Sequence, residues 1–365
     1  MAEQTQPGRF ARIGVIGGGA WGTALAQTLR LAARDVTLWA RDAAVISEIT
    51  KTHENSGYLP GVPLDAGLIA TSDLAQAASA DLVLLVTPAQ ATAVTARALR
   101  AHLRTGVPVV ICAKGIEQSS GRRLSAVLAA ELPDAPLAVL SGPGFAGDVV
   151  RGLPTAVTLA CADAALGAEL AATIGYRNFR IYWTDDVAGV ELGGAVKNVL
   201  AIAAGIADGK KLGASAHAAL VTRGFAELRR FGAALGAKPA TLQGLSGLGD
   251  LLLTCGSAQS RNMSLGRGLG EGRGLADILG ARRSVSEGVA TAAAVVALAR
   301  QHGLDMPIAE AVHAVCEGKV TVDAAMAALL ARPFRAEDRG AVMSARAEDG
   351  CPKGGFQVVA LLNRT

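Results

Sequence analysis

Residues 13–22 read Ile-Gly-Val-Ile-Gly-Gly-Gly-Ala-Trp-Gly and continue as Thr-Ala-Leu-Ala-Gln-Thr-Leu. A short apolar strand therefore runs into Gly17-x-Gly19-x-x-Gly22 and out into a helix. A glycine pattern alone says little, but between a strand and a helix it is the fingerprint of a dinucleotide-binding βαβ unit. Gly17 permits the tight turn, Gly19 lets the backbone approach a pyrophosphate, and Gly22 lets helix and strand pack closely. The helix start then presents free N–H groups and the positive end of its dipole to the phosphates.

The 365 residues suffice for two domains with cores of their own, and 51% hydrophobic against 18% charged residues marks a folded globular chain. The longest uncharged stretch, Ile13 to Leu29, falls short of the ~20 apolar residues that span a bilayer. It holds the glycine turn, and no transmembrane segment is expected. The start, Met-Ala-Glu-Gln-Thr-Gln-Pro, has neither the basic nor the apolar region of a signal peptide. Five cysteines at 112, 161, 255, 316 and 351 lack CxxC spacing and read as reduced thiols of a cytoplasmic protein. The net charge of +4 suits a small anionic ligand and gives no reason to invoke nucleic acid.

Beyond the first helix, apolar runs at 35–42, 81–88, 107–114 and 137–142 read as buried strands separated by helical patterns. This is the alternation of a doubly wound sheet. Residues 154–161 and 179–183 add two more strands. From about Asp185 strand signals stop and helices follow one another, among them 286–303, one opened by Pro307, and 322–332. The glycine- and arginine-rich segment 266–273 reads as a loop between helices. The expected organisation is a flexible start (1–10), an α/β Rossmann-like domain (11–184), an all-α domain (185–335) and a tail (336–365). The tail is expected to be partly disordered, with Phe356 to Leu362 available for docking.

Arg41 follows the second strand where an acidic residue would hold the ribose 2′-hydroxyl of NAD; arginine there suits the 2′-phosphate of NADP. Asp42 beside it leaves discrimination incomplete, and Arg41 also fits an ordinary surface charge. The chain has eight lysines against 27 arginines. One of them, Lys197, shares with Asn198 the only polar positions between Leu192 and Ile206. A helix apolar nearly all round is buried, and burial pulls a lysine down from ~10.4, toward the range of a general acid–base working near neutrality. A lysine snorkelling to the domain edge fits the pattern equally well. Asp250 closes a glycine-rich loop, where an N-cap would be its ordinary role. Ser260-Arg261-Asn262 offers hydroxyl, guanidinium and amide donors in succession, which suits an oxyanion receiver or an exposed polar turn. No zinc spacing and no serine-nucleophile elbow occurs, so no metal is expected and carbonyl chemistry falls to lysine.

Six segments in order carry a resemblance: Gly-Gly-Gly-Ala-Trp-Gly-Thr-Ala-Leu-Ala, Cys-Ala-Lys114-Gly-Ile-Glu, Ser-Gly142-Pro-Gly144-Phe-Ala146, Glu-Leu-Gly-Gly-Ala-Val-Lys197-Asn, Gly-Leu-Gly-Asp250 through Thr-Cys, and Ser260-Arg261-Asn262. From about residue 11 to 333 the chain resembles the bacterial NAD(P)-dependent sn-glycerol-3-phosphate dehydrogenases, also called dihydroxyacetone phosphate reductases. The resemblance implies a Rossmann-like domain and a helical domain of the 6-phosphogluconate dehydrogenase C-terminal-like type. It implies reversible reduction of dihydroxyacetone phosphate to sn-glycerol 3-phosphate, the backbone precursor of phospholipids, with NADP(H) or NAD(H), by a cytoplasmic homodimer. The position of Lys197 is that family's proton-transfer group. Lys114 lies between cofactor and substrate. Gly142, Gly144, Asp250, Ser260, Arg261 and Asn262 match substrate positions, and Ala20, Trp21, Arg41, Ala146, Arg261, Val285 and Glu287 match cofactor contacts.

Three departures accompany the match. Ala20 stands where serine is common, Gly144 where serine or threonine is usual, and the tail beyond about 335 has no counterpart. Two rivals remain. A related 3-hydroxyacid or ketopantoate reductase would leave the second phosphate receiver idle, and a silent NADP-binding regulator would not need Lys197 with Asp250.

Overall fold

The computed structural model describes residues 9–280 and 286–333. Val285 and the segment Phe356 to Leu362 lie outside them. The first half alternates strands and helices: β1 (Arg12–Ile16), α1 (Ala20–Leu31), β2 (Asp35–Trp39), α2 (Ala43–Thr52), β3 (Ile69–Thr71), α3 (Leu74–Ala78), β4 (Leu82–Leu85), α4 (Thr92–Arg100), β5 (Val109–Ile111), α5 (Leu124–Glu131), β6 (Leu137–Ser141), α6 (Ala146–Val150), β7 (Thr155–Cys161), α7 (Ala164–Ile174) and β8 (Phe179–Thr184). The strands form one sheet in the order β3-β2-β1-β4-β5-β6-β7-β8. The first six are parallel and follow the dinucleotide-binding order 3-2-1-4-5-6. β7 runs antiparallel to β6, and β8 runs parallel to β7.

Strand side chains alternate between faces, so each apolar run feeds two cores. Leu82 and Leu84 of β4 join Val15 and Leu38 on one side; Val83 and Leu85 join Val109 and Ile111 on the other. All of these are buried. Helices cover both faces, which is why the runs read as continuously hydrophobic rather than alternating.

The second half is helical: α8 (Val187–Gly209), α9 (Ala214–Ala234), α10 (Pro239–Gln243), a π-helical turn at Leu245–Gly249, α11 (Asp250–Cys255), α12 (Arg261–Gly270), α13 (Leu275–Gly280), α14 (Glu287–Gln301), α15 (Pro307–Cys316) and α16 (Val322–Leu330). By length and composition α8 is apolar enough to cross a membrane, but its apolar stretch is 94% buried under neighbouring helices.

Residues 266–273 are a loop between helices only in their second half, where 271–273 lead from α12 into α13. Their first half is the end of α12, which packs on α8 backbone to backbone. A Cβ on Gly266 would lie 2.0 Å from the Ile202 carbonyl oxygen, and one on Gly205 would lie 2.0 Å from that of Met263. The glycines therefore form a contact face. Tertiary packing overrides their poor helix propensity, and this close approach sets Asn262 beside Asn198.

Candidate active site

The glycine turn is built as the sequence pattern demands. Gly17 has φ +133°, and a Cβ there would lie 2.6 Å from the Val86 carbonyl oxygen. Gly19 is the N-cap of α1, and a Cβ on it would meet nothing within 4 Å. A helix start thus opens onto free space. Around this crevice, buried polar atoms stand without partners: Trp21 Nε1, Thr87 Oγ1 and Glu287 Oε2. Buried polar groups are normally paired, so open space, a helix N-terminus and orphaned donors and acceptors fit a dinucleotide. Trp21 stands in the first turn of α1 and stacks edge-on against Phe179, with ring centroids 6.4 Å apart. Ala20 opens α1 and Ala146 opens α6, and both pack on the same core. Arg41 is exposed just beyond β2. Asp42 is committed elsewhere, since its side chain accepts from the Ala44 N–H at 2.9 Å and caps α2.

Where the sheet meets the helical half, α8 and α11 bring Lys197 and Asp250 together. Lys197 is buried, which removes the snorkelling alternative. Its Nζ lies 3.0 Å from Asp250 Oδ1 and donates to Thr254 Oγ1 at 2.7 Å; the Thr254 hydroxyl donates to Asp250 Oδ1 at 3.1 Å. Lys114, on the loop after β5, donates to Asp250 Oδ2 at 2.7 Å and to the Gly142 carbonyl at 2.8 Å. Asp250 is therefore no N-cap; that position belongs to Gly249, and the carboxylate serves the lysines. An ammonium has three donors, and Lys197 uses two of them here, leaving one for an incoming oxygen.

Charges within this cluster oppose one another. Burial pushes the Asp250 carboxyl up, but the Lys114 and Lys197 ammoniums outweigh it and hold the acid below its ordinary range. Burial is also the largest influence on Lys197 and pulls it down to about 8, with repulsion from Lys114 adding to the fall and Asp250 opposing it. Two cations on one buried anion leave a surplus positive charge, and the ammonium at Lys197 is the one made easier to discharge.

The second set of residues adjoins this cluster. Ser260 is buried and caps α12 by accepting from the Met263 N–H at 3.2 Å. Asn262 donates to Asn198 Oδ1 at 3.0 Å and accepts from the Gly288 N–H at 3.1 Å. Asn198 reaches the Lys114 carbonyl at 3.4 Å. Glu287 accepts from the Ala89 N–H at 3.0 Å, tying α14 to the sheet half. Burial raises its carboxyl, while the nearby Arg261 charge opposes this. Arg261, in the first turn of α12, is exposed. Gly144 stands beside Trp21 and Thr155, whose nearest carbons lie 3.5 and 3.2 Å from where its Cβ would be.

Thr254 and Asn198 were not singled out as site residues from sequence. The i,i+4 spacing of Asp250 and Thr254 on one short helix was the available signal.

Two family profiles match the chain: the N-terminus of NAD-dependent glycerol-3-phosphate dehydrogenase over residues 12–167, and its C-terminus over 186–327. The chain belongs to the NAD-dependent glycerol-3-phosphate dehydrogenase family. Members named glycerol-3-phosphate dehydrogenase [NAD(P)+] include one from Parvibaculum lavamentivorans, 58% identical over 328 residues that make up 90% of this chain and 98% of the relative. One from Rhodospirillum rubrum is 59% identical over 89% of this chain and 93% of its own. The crystal structure of glycerol-3-phosphate dehydrogenase from Coxiella burnetii superimposes with a TM-score of 0.85 at 38% identity, covering 89% of this chain and all of that one. The oxidoreductase family, its Rossmann-like plus helical architecture and its NAD(P) dependence thus agree with the reading of the sequence.

Proposed function

We propose that this chain catalyses the NAD(P)H-dependent, reversible reduction of dihydroxyacetone phosphate to sn-glycerol 3-phosphate. The observation that carries the reading is the Lys114–Asp250–Lys197 cluster at the junction of the two halves, with Asp250 and Lys197 buried and Lys114 partly so. The glycine turn would hold the reduced coenzyme, which when bound would supply the hydride for the substrate C2 carbonyl carbon. Lys197, as the ammonium, gives its proton to the carbonyl oxygen; in the reverse direction the neutral amine takes the proton from the C2 hydroxyl. Asp250 and Thr254 orient that ammonium, and the first anchors Lys114 as well. Removing such an acid–base group usually costs roughly 10²–10⁴ in rate.

Substrate recognition in this reading falls to Lys114, Gly142, Gly144, Lys197, Asp250, Ser260, Arg261 and Asn262. The guanidinium at the head of α12 is the group suited to receive a phosphate. The coenzyme contacts are Gly17, Gly19, Ala20, Trp21, Gly22, Arg41, Lys114, Ala146, Arg261, Val285 and Glu287. Support for them comes from the open helix start and the orphaned Trp21 and Glu287 atoms. The product would feed glycerophospholipid synthesis. A cytoplasmic homodimer belongs to the same reading, and the four described cysteines are all free thiols, as suits a reducing compartment.

The deciding experiment follows NADPH consumption by absorbance with dihydroxyacetone phosphate, beside NADH and beside unphosphorylated dihydroxyacetone. Turnover confined to the phosphorylated substrate is the expected result. Coenzyme binding with no turnover of either substrate would remove the reductase reading.

A further inference from the structure

Asn55 is fully buried and distant in sequence from both groups that it touches. Its Nδ2 donates to the Gly18 carbonyl at 3.0 Å and to Thr23 Oγ1 at 2.8 Å. The first partner is the middle of the glycine turn, and the second is in α1 just beyond it. Its Oδ1 is buried without a partner, so the amide is placed for its two donors. We infer that Asn55 is a positioning residue for the coenzyme: by holding the Gly18 carbonyl it aims the Gly19 N–H at the phosphate site. The inference rests on the reading of the glycine turn as the coenzyme site.

The peptide plane supplies the mechanism. In a trans peptide the carbonyl of one residue and the N–H of the next point in opposite directions. With the Gly18 oxygen fixed on Asn55, the Gly19 N–H faces away from Asn55. Glycines on both sides of that peptide leave it few steric restraints of its own. A hydrogen bond from outside the turn therefore fixes what the turn's sequence leaves loose, and a preorganised donor binds an anion without first being ordered.

Asn55 does not have to hold its own segment in place. Residues 53–68 lie along α1, where Gln27 Oε1 accepts from the Asp65 N–H at 2.8 Å and Arg30 Nε donates to Asp65 Oδ1 at 3.2 Å. Thr23, Gln27 and Arg30 recur at i, i+4 and i+7, a single stripe of the helix. Leu59, Val62, Leu64 and Leu68 bury the same segment in the sheet core. These anchors remain when the Asn55 amide is removed, so its loss is read at the turn.

The test measures NADPH binding to the full chain by fluorescence titration, with steady-state kinetics and thermal melts alongside. Asn55→Ala is expected to raise the NADPH Kd roughly tenfold. The KM for dihydroxyacetone phosphate, and kcat at saturating coenzyme, are expected to stay within about twofold. Thr23→Val, which removes the other partner, should weaken NADPH by a smaller factor, and Thr23→Ser should bind as wild type does. The Thr23 pair decides the matter if Asn55→Ala does not fold. A lower melting temperature with NADPH Kd within about twofold for both Asn55→Ala and Thr23→Val would make Asn55 a merely structural residue and overturn the inference. Gly19→Ala separates the two readings. If it weakens NADPH while the Asn55 and Thr23 variants do not, only the positioning role fails. If it too binds like wild type, the coenzyme reading of the turn fails.

Discussion

Lys114 and Lys197 share one carboxylate, holding opposite oxygens of Asp250 at 2.7 and 3.0 Å. Lys114 arrives from the sheet half and Lys197 from the central helix of the other half. The ion cluster is therefore assembled only where the two halves meet. Three charged groups with a net positive balance, in a place that largely excludes water, are poised to give up a proton and to attract an anionic substrate.

The first consequence is a pH dependence of opposite sign in the two directions. Lys197 is pulled to about 8, chiefly by burial. In the proposed mechanism reduction uses its ammonium, so kcat/KM for dihydroxyacetone phosphate should be level below pH 8 and fall about tenfold per pH unit above it. Oxidation of glycerol 3-phosphate needs the amine and should rise through the same region. Lys197→Ala should lower kcat roughly 10²–10⁴-fold and abolish that inflection in both directions. Profiles recorded for both directions check this, and an unchanged inflection in the variant would assign it elsewhere.

Asp250→Asn keeps the shape of the cluster and removes its anion. The buried Lys197 ammonium and the partly buried Lys114 ammonium then face each other without a counter-charge. Breaking a buried pair in this way costs about 3–5 kcal/mol, so the denaturant midpoint should fall with an unchanged slope. With its main stabilising partner gone, Lys197 should titrate below 8, moving the decline of the reduction profile to lower pH. Urea melts and the pH profile together check the two effects.

Gly19→Ala isolates the glycine turn from the fold. The new methyl would meet nothing within 4 Å in the free protein, and the backbone there, φ −78° and ψ −177°, suits alanine. Stability should change little. A pyrophosphate approaching that face would meet the methyl, so Kd for NADPH and for NADH should rise together, by roughly tenfold or more. Equal melting temperatures with unequal coenzyme affinities are the expected pair of measurements.

Much of this architecture was legible because long apolar runs and periodic helices dominate it. β1, β2, β4 and β6 announce themselves as hydrophobic stretches ended by glycine, proline or polar residues. β3 went unseen: it has only three residues, of which Thr71 alone is buried. α12 was misread because its glycines carry a propensity for loops, while the feature that makes it a helix, the backbone of α8, is remote in sequence. The site divides in the same way. Lys197 stood out as a lone cation in an apolar helix, but its choice between surface and core was fixed only by helices packed over it. Asn55 gave no signal, since its partners lie 37 and 32 residues away and an isolated asparagine resembles any turn residue.

In the proposed coenzyme site, the choice between NADPH and NADH is assigned to Arg41. It stands just past β2, exposed and free to meet a ribose substituent, and its neighbour Asp42 is occupied in capping α2. An unoccupied aspartate would favour NAD by accepting from the ribose hydroxyl and repelling a phosphate; a capping one is held to its helix by the bond to Ala44 at 2.9 Å. The balance should therefore lie toward NADPH, with NADH also used. Arg41→Ala removes a charge-assisted contact that only the 2′-phosphate makes, so kcat/KM with NADPH should fall roughly tenfold or more. The value with NADH should stay within about twofold. Asp42→Ala should lower stability by about 1 kcal/mol through the lost cap, with little change in preference. Coenzyme ratios from the three proteins separate the contributions: a drop with both coenzymes in Arg41→Ala would mean that the arginine supports the turn generally, and an unchanged ratio would place the 2′-phosphate elsewhere.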